Sequence, residues 1–418
     1  MASRVLTHYL NSFRGFSREV WLLSGVMLIN RSGTMVIPFM TVYLTQVMGY
    51  SLGQAGWVMS AFGAGSVLGS FLGGKLTDRI GFYQVQFWSL LLSGLAFIGL
   101  GYAGNIWAFG AMVFVVSTLA DAFRPANFAA LATYSRPENR TRAMGLLRLA
   151  VNLGWAVGPA VGGLLAASVG YKALFWVDGL TCISAAIFFR LALPVRERPR
   201  EERESSGEGL VLASSSAYRD GKYLIFLLLV LLNGIAFMQL FSTMPVFFKQ
   251  EIFLDEGQIG RLMAVNGLVI ALVEMPLIYL VEHRFGKWQI VSIGTLLIGF
   301  SYLLFNIFGA FWGVAFACMM LMTVGEMLSL PFIATMALDF TNDKNRGQYM
   351  ALFTMTYSVS HIISPNLGLQ VAEHFGFSSL WYLLMFFCVL VWFGFRRMAA
   401  IARRPAVEPA PALTGPGD

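Results

Sequence analysis

The sequence is short of charge. Asp, Glu, Lys and Arg make up 12% of its 418 residues, about half of what a soluble domain usually carries. That deficit excludes an ordinary water-soluble fold. Cysteine is also scarce, with three in the chain. Cys182, Cys318 and Cys388 all fall inside apolar runs, so no disulfide framework and no metal-ligand spacing is expected. There is no phosphate-binding Walker loop, no Gly-rich dinucleotide turn, no HExxH pair and no nucleophile elbow. These absences disfavour ATP-driven work and point away from an enzyme. They imply no cofactor, and they leave an ion gradient as the energy source for any transport.

What fills the chain instead is apolar. Hydrophobic residues make up 57% and the mean hydropathy is +0.67. Apolar runs of about 20 residues recur throughout, each long enough to cross a bilayer as a helix. Twelve such spans are expected, at 20–47, 53–75, 84–103, 107–132, 143–167, 172–194, 223–248, 257–281, 287–307, 311–337, 347–371 and 377–398. The runs are too long and continuous for barrel strands. The first follows Arg4, Arg14 and Arg18 as a signal peptide would, but it exceeds a signal core in length and shows no small-residue cleavage site, so it reads as a retained helix.

The net charge of +7 is not the footprint of a nucleic-acid binder, because its distribution follows the positive-inside rule. Lys and Arg gather in the N-terminal tail, after spans 2, 4, 8 and 10, in the 195–222 segment and at Arg396, Arg397, Arg403 and Arg404. The opposite loops are short and nearly uncharged, or acidic as at Glu251, Asp255 and Glu256. Both termini are therefore expected to be cytoplasmic. A multi-pass chain of this kind meets membrane lipid, a small molecule and protons, and a monomer is expected.

The chain divides into residues 1–194, a first six-helix bundle; 195–222, a solvated linker opening on Arg196-Glu197-Arg198-Pro199-Arg200; 223–400, a second six-helix bundle; and 401–418, a disordered cytoplasmic tail. The bundles repeat one design at an offset near 206. Pro125 matches Pro331, Asn139-Arg140 matches Asn345-Arg346, Met144 matches Met350, Gly158-Pro159 matches Ser364-Pro365, Gly162 matches Gly368 and Gly170 matches Gly376. Arg79-x-Gly81 matches Arg284-x-Gly286 at an offset of 205. Six helices per half keep the two repeats in the same orientation, which suits two lobes rocking about a central site.

A few charges lie where hydrocarbon is expected: Arg31, Asp121, Arg124, Asp178, Glu274 and Glu326. Each costs about 2.5–3.5 kcal/mol or more to insert and persists where it faces protein or water and has work to do. Glu326 stands near the middle of its span with no basic residue within a turn or two. Asp121 and Arg124 are one helical turn apart and can pair, either as a coupling device or as a static bridge. Asp178 and Glu274 each fit a coupling role or a polar network. His361 fits a helix-packing hydrogen bond. The run Met319-Met320-Leu321-Met322 fits either an adaptable apolar pocket or plain packing.

Two motifs add a resemblance. Gly73-Gly74-Lys75-Leu76-Thr77-Asp78-Arg79-Ile80-Gly81 resembles the signature loop of the major facilitator superfamily, G-x-L-x-D-R-x-G. Its glycines allow close backbone approach, and an Asp at a helix N-terminus suits the dipole. The family's basic residues after the second Gly are replaced by Phe82 and Tyr83. The resemblance implies that Gly74, Asp78, Arg79 and Gly81 gate the cytoplasmic side. Gly154-Trp155-Ala156-Val157-Gly158-Pro159-Ala160-Val161-Gly162-Gly163 resembles the G-x-x-x-G-P-x-x-G-G motif of that superfamily's proton-coupled exporters. Gly154, Gly158, Gly162 and Gly163 also fit a small-residue packing stripe with no transport direction, and Pro159 permits a kink.

Gly325-Glu326, then Pro331 and Asp339, resembles helix 10 of the bacterial multidrug/proton antiporters. The resemblance implies an all-α membrane protein of twelve helices in two pseudo-symmetric bundles. It would sit in a bacterial inner membrane and export amphipathic, drug-like compounds in exchange for protons. Because helices 1, 4, 7 and 10 line the cavity in that family, it brings Asn30, Arg31, Asp121, Arg124 and Glu326 into one space. Two other classes compete. One is a proton-coupled symporter importing a small anionic nutrient or a peptide; Asn30-Arg31 stands where peptide transporters carry E-x-x-E-R, although that pattern is missing. The other is a membrane receptor or scaffold, which accounts for the fold but not for the buried charges.

Overall fold

A computed structural model of the protein describes residues 15–136, 140–195, 216–282, 284–341 and 346–402. Asn139, Asn345, most of the 195–222 linker and nearly all of the 401–418 tail lie outside the described residues.

The apolar runs form helices, and every expected span is present. We number them α1 to α12. α1 runs over Arg18–Val47 in pieces: Arg18–Ser32, Val36–Val42 and a π-helical turn Tyr43–Val47. α2 is Leu52–Ile80 and α3 Phe82–Leu100. α4 is split into Ile106–Asp121 and Phe123–Tyr134. α5 is Arg140–Ser168 and α6 Lys172–Ala192. α7 is split into Gly221–Ser242 and Met244–Gln250. α8 is Glu256–Glu282, α9 Lys287–Phe308 and α10 Trp312–Asp339. The stretch Arg346–Ala402 turns at Gly376, whose φ of 80° is non-helical, giving α11 (346–375) and α12 (377–402).

The repeat is visible in the backbone. Gly170 and its partner Gly376 both take positive φ, 104° and 80°, at the turn between the last two spans of each half. Pro159 and Pro365 both lie inside helices, α5 and α11. Each removes one backbone donor and permits a bend.

Packing separates two lobes on one side and joins them on the other. We call the side holding the start of α1 and the end of α12 the near side, and the opposite side the far side. One apolar core contains residues of the first half alone, from Val20 to Leu193. A second contains residues of the second half alone, from Ala217 to Phe395. The third is shared, and its members lie on the far side: Phe39, Tyr43 and Val58 from one half, with Phe247, Met319, Met322 and Trp381 from the other. Met319 and Met322 are fully buried there, so that Met run packs a core. Outward faces carry large apolar side chains, among them Trp57, Trp107, Leu191 and Tyr279, as lipid-facing helices require.

Cross-lobe contacts reinforce the far-side closure. Thr41 on α1 donates to the carbonyl of Ser242 on α7 at 2.8 Å. Ser60 on α2 donates to the carbonyl of Ile362 on α11 at 2.6 Å. Glu373 on α11 accepts from the Ser51 hydroxyl at 3.1 Å and from the Gly53 amide, so it caps α2 across the lobe boundary. Tyr171, between α5 and α6, donates to Glu256 of α8 at 2.6 Å. Burial and that carboxylate together push the Tyr171 phenol well up. Glu256 also pairs with Lys249 at 2.7 Å.

The α5 glycine stripe works on two neighbours. A Cβ at Gly154 would run into Arg31, at Gly158 into the Thr34 carbonyl, and at Gly162 into Met35, all in α1. A Cβ at Gly163 would run into the Glu256 carbonyl of α8, and α8's Gly260 closes against Pro159 in return. Gly163→Val is thus expected to prise the far side open. A Cys placed at Ser242, 1% exposed in that seal, should then react with a membrane-impermeant maleimide about tenfold faster, a bias of roughly 1.4 kcal/mol between states. An unchanged labelling rate would contradict the role given to the stripe.

Candidate functional site

Helix breaks decide where the buried charges point. α1 stops at Ser32 and restarts at Val36, which leaves backbone donors free inside the span. Asp178 on α6, fully buried, accepts from Met35 N at 3.0 Å and from Val36 N at 2.9 Å. It was expected in the cavity. It serves instead as the N-terminal cap of the second piece of α1, because an uncapped break in hydrocarbon leaves unpaired amides. Asn30, also expected in the cavity, turns its amide to the Cys182 sulfur of α6 at 3.6 Å.

Arg31 remains beside the interior. Its electrostatic neighbours are Arg124, Asp121 and Cys182, and its Nε is buried without a hydrogen-bond partner. Asp121 and Arg124 do not form the expected ion pair. The backbone stays near-helical at Ala122 between them, but each stands near Arg31 and near His361 of α11 rather than locked to the other. His361 was expected to make a packing hydrogen bond. Among the described residues its ring makes none, and it faces this charged group from the opposite lobe. Arg124 is exposed and Arg31 and Asp121 are half-buried. Lying between lobes at mid-span, that exposed surface opens toward the interlobe space.

The second centre belongs mainly to the other lobe. Glu326, midway along α10, accepts from the Asn266 amide of α8 at 3.2 Å. The same amide donates to Thr323 at 2.9 Å. Glu274, one side of α8 nearer the termini and 5% exposed, forms an ion pair with Arg148 of α5. Among ion pairs between described residues, this one joins the two lobes, since Lys249–Glu256 and Lys287–Asp339 lie within the second half. Glu274 and Arg148 are also the charged neighbours of Glu326. The arrangement is two carboxylates around one guanidinium, with Asn266 and Thr323 as polar support.

Sequence reasoning missed Arg148 and Asn266. Arg148 sits near the start of its span, where an arginine can reach back to the interface. Its signal was its position two turns before the Gly154 stripe. Asn266 is uncharged and gave none.

The signature motif lies differently from its expected loop. Residues 73–80 complete α2, so Asp78 occupies the helix's last turn rather than an N-terminus. Asp78 and Arg79 are exposed on the near side. Gly73 packs against the Ala122 carbonyl at the α4 break, and a Cβ at Gly74 would meet nothing. Gly81 takes φ 86°, which glycine tolerates and other residues resist. The departures at 82 and 83 have a structural reason. Phe82 packs edge-on to Tyr134 at 5.7 Å, and Tyr83 packs on Phe189 at 4.7 Å, both in the first lobe's core.

Comparison with known proteins agrees with this architecture. The chain is 26% identical to the Na(+), Li(+), K(+)/H(+) antiporter of Planococcus maritimus, over 88% of this chain and 92% of that protein. It is 21% identical to the multidrug resistance protein MdtG of Proteus mirabilis, over 92% and 97%. Among solved structures, a POT family transporter in complex with 5-aminolevulinic acid superposes with a TM-score of 0.77 at 15% identity, covering 94% of this chain and 98% of that one. A family model described as Major Facilitator Superfamily matches residues 21–255 and 248–416. The chain is a multi-pass membrane transporter and belongs to the Major Facilitator Superfamily.

Proposed function

We propose that the protein is a proton-coupled secondary transporter that exports amphipathic, drug-like compounds in exchange for protons across a bacterial inner membrane. Both termini would be cytoplasmic and the working unit a monomer. The observation that carries the reading is the Arg148–Glu274 ion pair, which ties α5 to α8 across the lobes beside Glu326. With the near side cytoplasmic, a closed far side and separate near-side cores correspond to an inward-facing state.

The chemistry follows from the charges. Two carboxylates share one guanidinium, so one negative charge is left over. A proton on Glu326 or Glu274 removes that excess and weakens the hold on Arg148. Lobe separation then depends on protonation, which is what coupling requires. The glycine stripe on α5 supports the same reading, because it brings Arg148's helix close to α8 and α1 together. Relatives named as an antiporter and as multidrug resistance proteins lean toward exchange and export.

The test is exchange in proteoliposomes with a pH dye trapped inside. Adding an amphipathic compound, from a panel of cationic, neutral and anionic ones, should drive proton movement in the opposite direction, and an imposed pH gradient should drive the compound. Glu274→Gln should uncouple the two fluxes, while the charge swap Arg148→Glu with Glu274→Arg should recover part of the coupling. Proton movement that ignores every compound offered would end this reading.

A second reading draws on Thr323 and Glu326, whose oxygens converge on the Asn266 amide nitrogen and can take a hard cation in its place. The substrate would then be the ion itself, exchanged for protons. In the same vesicles, lithium, sodium or potassium would move protons with no organic compound present.

A further inference from the structure

The two interior centres carry opposite excess charge. Around Glu326 there are two carboxylates and one guanidinium. Around Arg31 there are two guanidiniums, Arg31 and Arg124, and one carboxylate, Asp121. The second imbalance plays no part in the proton chemistry above.

Two like charges in a low-dielectric interior repel, and one carboxylate cannot balance both. No ion pair fixes Asp121 to either arginine among the described residues. Arg31 leaves its Nε buried and unpartnered, although guanidinium is built to donate two parallel hydrogen bonds to one oxyanion. Arg31 is also held in position. A Cβ on Gly154 would strike it, so the exporter-like stripe of α5 backs the Arg31 side chain directly. His361 faces the same group from α11, in the other lobe. An anion seated here would touch both lobes.

We propose that Arg31 and Arg124 form the seat of an anionic group, so that the compounds this protein carries bear a carboxylate, sulfonate or phosphate on an apolar body. This deepens the exchange reading and rests on it for the word "carries". The binding itself requires no proton gradient, so a failed binding test and a failed coupling test are separate results.

The experiment is equilibrium binding to the purified full chain in neutral detergent, read by fluorescence. Three matched probes are used: 1-pyrenebutyrate, 1-pyrenebutanol and 1-pyrenebutylamine. The carboxylate is expected to bind about tenfold or more tightly than the other two, the scale of a charge-assisted hydrogen bond. Arg31→Gln and Arg124→Gln should each bring the carboxylate down to the level of the alcohol. Unchanged affinity for the alcohol shows that the variants are folded. Should Arg31→Gln fail to fold, Arg124→Gln carries the comparison, because Arg124 is exposed. Glu326→Gln should leave the carboxylate preference in place.

Equal binding of the three probes, a preference for the amine, or a carboxylate preference that survives both arginine variants would overturn the proposal. So would the absence of carboxylate binding up to its solubility limit. A lipid phosphate is the other source of the same chemistry. If phosphatidylglycerol, but not phosphatidylcholine, stabilises the wild type in an Arg31-dependent way and the pyrene carboxylate does not, the seat belongs to a lipid headgroup and the substrate assignment falls.

Discussion

Glu326→Gln is expected to reduce pH-driven exchange to the level of protein-free vesicles while leaving folding and ligand affinity within about twofold of wild type. The substitution keeps shape and removes the titratable proton site. The amide oxygen of Gln can still accept from Asn266, so the 3.2 Å contact survives. Thr323 still accepts from the same Asn266 group. What changes is the charge count. Two carboxylates and one guanidinium become one of each, so the excess negative charge that a proton would cancel is gone and Arg148 is committed to Glu274. A site that cannot alternate between excess charge and neutrality cannot report the gradient. Downhill exchange of the compound alone should persist, since it needs the lobes to move but no proton. The check is parallel measurement of both fluxes. Full pH-driven transport by the variant would remove Glu326 from the coupling role and shift attention to Glu274 or Asp121.

The fold was legible in the sequence because bilayer thickness and the positive-inside rule act on composition alone. Helix ends fell within a few residues of the expected spans, except that α2 continues through the signature motif to Ile80. The repeat was legible because backbone-special residues recur with it, as Gly170 and Gly376 show by sharing positive φ. Side-chain partners were much less legible. The Asp121 and Arg124 spacing allowed a pair one turn apart, and the backbone stays near-helical at Ala122, but both residues stand beside Arg31 and His361 instead. Glu326 lacked a local cation in its own helix, and the nearby one comes from α5 across the lobe boundary. Its one trace in the sequence was its place two turns before the Gly154 stripe, which does not say which carboxylate it meets, because the lobe interface sets that. The glycine stripe was visible as a packing surface, but which helices it meets depended on three-dimensional arrangement. It meets α1 at the Arg31 break and α8 at the far seal at once.

Asp178→Ala is expected to be the most destabilising single substitution among the buried charges, even though Asp178 takes no part in the coupling reading. The α1 break leaves Met35 N and Val36 N without helical acceptors, and both point at one carboxylate. Water cannot replace that carboxylate, because Asp178 is 0% exposed and the neighbouring Val36, Phe39 and Cys182 are buried. Met35 N also reaches the Gly33 carbonyl at 2.9 Å, so losing the carboxylate leaves Val36 N as the unpaired buried amide and should cost about 1–3 kcal/mol. The alternative open to the chain is to close the break into continuous helix. That would shift Arg31, Thr34 and Met35 against Gly154, Gly158 and Gly162, where no space exists. Asp178→Asn offers a control, since its amide oxygen can accept one of the two donors and should retain much of the stability. The measurement is the temperature of aggregation of detergent-purified protein, followed by size-exclusion chromatography, for wild type and both variants. The expected order is wild type, then Asn, then Ala, with Ala lowest by a wide margin. If Ala and wild type melt together while Ala loses only transport, Asp178 is a working group of the cavity after all, and the capping assignment is wrong.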